Sequence, residues 1–171
     1  MNQIEQKQRN ALATKKRISI IRTYAVKERS FPSSVKRISD PKQAAELVRP
    51  LLENLDREYL IVVCVDVKAR PISVEIASIG LSDNCLVGVK EVFRNAILSN
   101  ASGILLYHNH PSGSVRASKE DILITDKLIK AGELLGIPLI DHIIIGERNR
   151  YYSFAEKRCI NKKGKPLYMS A

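Results

Sequence analysis

Tryptophan is absent from this 171-residue chain and aromatic side chains make up only 5% of it, so its interior has to be packed mainly from aliphatic residues, as an α/β core is. Cysteine is scarce as well. Cys64, Cys85 and Cys159 are odd in number, far apart and not in any CxxC pair, which argues against both a disulfide framework and a thiolate zinc site. No apolar run approaches the length of a membrane span, and the basic N-terminus lacks the apolar stretch of a signal peptide. The expectation is a soluble, cytoplasmic protein with no membrane association, its cysteines reduced. The length suits one ordinary domain with appendages and is too short for two of typical size.

Charge is present in excess, but unevenly. Of the net +10, residues 1–37 carry ten Lys/Arg against two Glu, and residues 155–171 carry five against one. The stretch between them holds thirteen basic and fifteen acidic residues. A near-neutral body with basic ends divides the chain into an N-terminal extension (1–38), a domain (39–156) and a C-terminal tail (157–171). Such arms attract phosphate backbones regardless of sequence, and they also occur as plain solvated tails.

Hydrophobic spacing gives the elements. "IEQKQRNALATKKR" has weak helical spacing and reads as a helix or a frayed arm; residues 18–26, "ISIIRTYAV", alternate as a strand does. Residues 41–55 form a helix opened by Ser39 or Asp40 ahead of Pro41, with Pro50 inside it a point for a kink. Strands follow at 59–67, buried on both faces, and at 71–79, then an amphipathic helix at 89–100 and a short buried strand, "GILLYHN". "SKEDILITDKLIKAGELLG" is a helix capped by Ser118 and stopped at Gly136, with Ile122, Leu123, Leu128, Ile129 and Leu134 on one broad face. "IPLIDHIIIG" and "RYYSFAE" close the series as strands. Helices interspersed among strands make an α/β or α+β layer with a mixed β-sheet flanked by helices.

The stretch "YHNHPSGSVRASKED" (107–121) carries the chemistry. Side chains two apart on a strand share a side, so His108 and His110 converge on one ion at the sheet edge. "PSG" turns the chain away, and Ser118 restarts it as a helix with Asp121 in the first turn, which brings a carboxylate back beside the histidines. Two imidazoles and a carboxylate leave a zinc position open for water. S-x-x-D is also close to a capping box, which accounts for Ser118 and Asp121 without any ion. On these residues alone the two readings stand side by side.

The longer string tips the balance. HxHP, six residues, then SxxD, with a glutamate at the start of an upstream apolar strand, resembles the JAMM (MPN+) metalloprotease motif. "HNHPSG…S..D…T..L..AG..LGIPLIDHIIIG" is similar to the RadC family of JAB-domain proteins over residues 40 to 155. The resemblance implies a three-layer, cytidine-deaminase-like domain and a Zn²⁺ held by His108, His110 and Asp121. It matches Glu58, in "REYLIVVCVD", to the general base, and Ser118 to a hydroxyl that stabilises the reacting oxygen. Glu53, Glu75 and Glu91 are the rivals for the base, Glu91 being nearest the HxH in sequence. The implied reaction is hydrolysis of a peptide or isopeptide bond in a protein substrate, zinc lowering the pKa of water from about 15.7 to about 7. Two other classes stay open: a DNA-associated, repair-linked protein, which the basic ends also suggest, and a metal-bearing interaction module without hydrolytic activity. Oligomeric state is not addressed by the residues.

Departures are local. Many relatives read "DPTPS" where this chain has "SVRAS", so Arg116 adds charge beside the cleft, and many read "PRE" where it has "VKE"; the ligand positions are intact. A helix-hairpin-helix module like that of longer RadC proteins is not expected in residues 1–38, which are few and contain no GxG-type hairpin. His142, in "LIDHIIIG", is either a buried strand residue held by Asp141 or a backbone group, or a residue that orients a metal ligand from behind. Tyr107 and Asn109, on the opposite strand face from the histidines, are expected to pack and hydrogen-bond. If the basic N-terminal arm contacts DNA, binding measured at low salt will weaken steeply as salt is raised and vanish when residues 1–37 are deleted. Absence of binding at low salt rejects that partner.

Overall fold

The computed structural model describes residues 18–52, 55–80, 88–157 and 159–160, together with Ile4 and Gln6. The rest of the expected N-terminal helix or arm, Glu53, Cys85 and most of the basic tail lie outside the described residues. The elements run α1 (Pro41–Leu52), β1 (Tyr59–Val65), β2 (Pro71–Ile79), α2 (Val89–Leu98), β3 (Gly103–Asn109), α3 (Lys119–Leu135), β4 (Leu139–Ile145) and β5 (Tyr151–Ser153). The strands form one mixed sheet ordered β2-β1-β3-β4-β5. Only β3 and β4 are parallel, joined through α3; the other three pairings are antiparallel.

Two apolar faces explain the three layers. Along β1, Leu60, Val62 and Cys64 face a core shared with α2 (Val92, Phe93, Ala96) and α3 (Leu128, Ile129). Ile61, Val63 and Val65 face a second core built on α1 (Ala44, Ala45, Leu47, Val48, Leu52), where Tyr107 is wholly buried. A strand covered on both sides needs apolar residues at every position, which is why "LIVVCV" does not alternate. The expected α+β fold with a sheet between helical layers is the one observed.

The details differ where packing overrides pattern. Residues 18–26 form no strand, and Ile18, Ile20, Ile21, Tyr24 and Val26 are exposed. Alternation makes a strand only where a sheet edge supplies hydrogen-bond partners, and the five-stranded sheet takes up none of this segment. On α3 the buried face is Asp121, Thr125, Leu128, Ile129 and Gly132, while Leu123 and Leu134 are 67% and 89% exposed. The apolar residues at 122, 123 and 134 drew the expected face too wide; the face that packs includes two polar residues. Strand β1 ends at Val65 because the Asp66 carboxylate accepts the amides of Lys68 and Arg70, closing a turn with Ala69 at φ 58°. Helix α2 stops at Leu98, two residues early, with Asn100 at φ 49° beyond it. Gly136 terminates α3 at φ 70°, as expected of a glycine cap.

Two polar ties fix the β4–β5 end of the sheet. The Arg49 guanidinium on α1 donates to the carbonyls of Gly146 (3.0 Å) and Arg150 (3.3 Å). The buried Asp141 carboxylate accepts the Ser153 hydroxyl at 2.6 Å and the amides of His142 and Ala155 at 2.8 and 2.9 Å. Burial pushes that carboxyl up from 3.8 to about 6, with the Ser153 hydroxyl and the two amides pulling the other way. An acid whose folded value exceeds its unfolded one takes its proton first in the folded state. Ionised Asp141 therefore costs stability above pH 6, and the folded state regains up to about 3 kcal/mol as pH falls from about 7 to about 4. Asp141→Asn has no such titration, so wild-type stability relative to the variant should rise across that window in chemical denaturation. A constant difference would show that the carboxyl does not titrate late.

Candidate metal centre

The register of β1 against β3 sets the site. Leu60 lies opposite His108, and carrying that antiparallel register two residues further puts Glu58 opposite His110. Even-numbered residues of both strands face the α2–α3 layer, so the glutamate and both histidines share one face at the same end of the sheet. The chain around Glu58 is clamped from both sides by Asn109. Its Oδ1 accepts the Tyr59 amide at 2.9 Å and its Nδ2 donates to the Arg57 carbonyl at 3.0 Å. The Glu58 carbonyl accepts the Gly80 amide at 2.7 Å. Asn109 thus hydrogen-bonds as expected, to the segment that carries Glu58.

Asp121 arrives from the helix layer. After β3 the chain turns at Gly113, φ +68°, where a β-carbon would be strained. Ser118 then starts α3 with a full capping box: its hydroxyl oxygen accepts the Asp121 amide at 3.0 Å, and Asp121 Oδ2 accepts the Ser118 amide at 2.7 Å. Oδ1 is left facing His108. His108 Nε2 lies 3.2 Å from Oδ1, His110 Nε2 lies 3.5 Å from Oδ2, and the two Nε2 atoms are 3.0 Å apart. His110 is steadied by a 2.9 Å hydrogen bond between Nδ1 and the Ser114 carbonyl.

Ligand atoms of Glu58, His108, His110 and Asp121 all lie within 4.8 Å of one another. A tetrahedral ion with bonds of about 2.0–2.1 Å holds its ligands about 3.3 Å apart. The three separations among His108, His110 and Asp121 bracket that value, so these residues fit a small divalent ion. Electrostatics agree. Burial opposes ionisation of Asp121, yet the two histidine rings beside it hold its carboxyl far below the usual range. Hydrogen bonding to Asp121 raises His110. Burial raises the Glu58 carboxyl, the two histidines opposing that shift and Asp121 reinforcing it. Glu75 is committed to Arg94 on the β2–α2 side, and Glu91 pairs with Lys90 in the first turn of α2; neither belongs to the cluster. Arg116 is exposed in the loop between His110 and α3.

A family model for the RadC-like JAB domain matches residues 38–159. The chain belongs to the RadC family. Among similar proteins is a UPF0758 protein of Thermotoga maritima, 48% identical over 103 residues, covering 60% of this chain and 46% of that protein. UPF0758 proteins of Alkaliphilus metalliredigens and Methanosarcina barkeri are 44% and 37% identical over 121 and 122 residues, each covering 71% of this chain. The RadC chain spans about half the length of these curated relatives, 46 to 53%. Among the described residues no helix is long and apolar enough to cross a membrane.

Two residues of this RadC domain stand behind the histidine pair. His142 Nε2 lies 2.8 Å from His108 Nδ1, and Thr125 Oγ1 lies 2.6 Å from His142 Nδ1. The His142 side chain meets His108, while Asp141 bonds only the His142 backbone amide. Thr125 was overlooked in the sequence, although its i,i+4 spacing from Asp121 puts both on one helix face. Ser118→Ala deletes the acceptor of the Asp121 amide and should destabilise metal-free protein by about 1 kcal/mol in urea denaturation. An unchanged midpoint would mean that Asp121 is held without the cap.

Proposed function

We propose that this RadC domain is a zinc-dependent hydrolase of peptide or isopeptide bonds. The observation that carries the reading is the convergence of two histidines and two carboxylates, from the start of β1, the end of β3 and the first turn of α3, at one end of the central strands. Zn²⁺ held by His108, His110 and Asp121 would supply Lewis acidity toward a carbonyl and an acidified water. Glu58 is the proton carrier. Its half-buried carboxyl, raised by that burial, suits a group that accepts a proton from water and returns it to the departing amine. The Ser118 oxygen is already an acceptor in the cap, which leaves its O–H free to donate to the developing oxyanion.

The surroundings fit a chain-like substrate. A cleft of about 320 Å³ on the α1 side borders His110, the one cluster residue in its lining, with apolar walls from Leu52, Leu55 and Ile145 and with Glu147 and Arg148 beside them. Such a cleft can seat a peptide side chain next to the cluster.

Protein stripped of metal and titrated with zinc should take up one ion per chain by elemental analysis. Glu58→Gln should retain that ion while hydrolysis of peptide and isopeptide-linked conjugates falls by about 10²–10⁴. Ser118→Ala should lower it by about 10²–10³. Failure to bind zinc rejects the proposal. Biological activity untouched by Glu58→Gln would favour the non-hydrolytic interaction module instead.

A further inference from the structure

A histidine has two nitrogens, and a metal ligand must present the one that carries a lone pair. Which nitrogen of His108 does so is decided behind it, by three buried groups in a row. Thr125 Oγ1 lies 2.5 Å from the Asp121 carbonyl oxygen, a separation that two oxygens keep only with a proton between them. The Thr125 hydroxyl therefore donates to that carbonyl, and its single proton is used.

Thr125 Oγ1 can then only accept from His142 Nδ1, 2.6 Å away. His142 is wholly buried and its ring meets His108, Thr125 and Phe154 rather than a carboxylate, a setting in which an imidazole is neutral. With its one proton on Nδ1, its Nε2 is an acceptor facing His108 Nδ1 at 2.8 Å. His108 must donate there, so its own lone pair sits on Nε2, the atom that faces Asp121 Oδ1 and His110 Nε2. Every group in the row has one role left, and each role is filled.

The ring of His142 is also held in plane. Phe154 stacks on it at 4.8 Å and 8°, and the Phe154 amide donates to the His142 carbonyl at 3.0 Å. The row ends on the backbone of Asp121, so it joins two of the ligand residues through the interior.

We propose that His142, oriented by Thr125, is a positioning residue that keeps His108 Nδ1 protonated and its Nε2 lone pair aimed into the cluster before any ion arrives. This extends the metal-site reading given above. It assigns work to a buried threonine and a buried histidine that touch no substrate.

Multiple-bond ¹H–¹⁵N NMR on metal-free protein tests it directly, since only three histidines have to be assigned. His108 and His142 should both appear as the Nδ1–H tautomer; His108 carrying its proton on Nε2 overturns the proposal. Zinc titration gives a second reading. His142→Leu should weaken zinc binding about 10–100-fold, whereas His142→Gln, whose side-chain oxygen can accept from His108, should recover most of it. Thr125→Val keeps the shape of the helix face but not the hydroxyl, and should weaken zinc in the same direction. If His142→Leu does not fold by circular dichroism, Thr125→Val carries the test. Wild-type affinity in a folded His142→Leu or Thr125→Val overturns the proposal. Wild-type protein that binds no zinc rejects the proposed function instead, and the tautomers of metal-free protein then decide the arrangement by themselves.

Discussion

The pairing of β1 with β3 is the constraint on which the rest of this molecule depends. Leu60 opposite His108 fixes which residues of the two strands look toward α2 and α3 and which toward α1. A slip of one residue would turn every side chain of the moving strand to the other face. Glu58 would then point toward α1 and Ile61 would face the histidines. Burial guards against this, because β1 is covered by apolar layers on both sides and Asn109 grips the backbone on either side of Glu58.

A second constraint is the satisfaction of buried polar groups. His108, Asp121, Thr125 and His142 all lie in the interior on the α3 side of the sheet. A buried polar group without a partner costs about 1–3 kcal/mol, and a partly satisfied network is worse than an apolar core. Here each group has a neighbour at hydrogen-bond distance. The same bonds that make the burial tolerable leave His108 few orientations, so the packing of the core and the geometry of the site are one problem. The β4–β5 turn takes part, since Asp141 binds Ser153 and brings Phe154 onto the His142 ring.

The convergent side chains all lie within residues 38–159, the span matched by the RadC family model. The HxH pair and the S-x-x-D cap are local patterns, and their meaning as a cleft for chemistry rests on the third and fourth members being brought alongside. Glu58 was reachable in the sequence only through resemblance to a motif, since a glutamate at the entrance to an apolar strand has no distinguishing neighbours. Glu91, nearer to His108 in sequence, faces another partner in space.

Local periodicity therefore determined much of this protein. Strand alternation put His108 and His110 on one side, the cap put Asp121 one turn into a helix, and the continuous apolar run at Leu60 to Val65 announced a strand buried on both faces. The tertiary structure alone decided the rest: that residues 18–26 join no sheet, that α3 buries Asp121 and Thr125 rather than Leu123 and Leu134, and that Glu58 and His142 reach the histidines from opposite sides. The reason is physical. Spacing of two or four residues carries information about neighbours on one strand or one helix, whereas contacts across fifty residues, or through a parallel crossover, are set by which register and which helix face best fill the two cores.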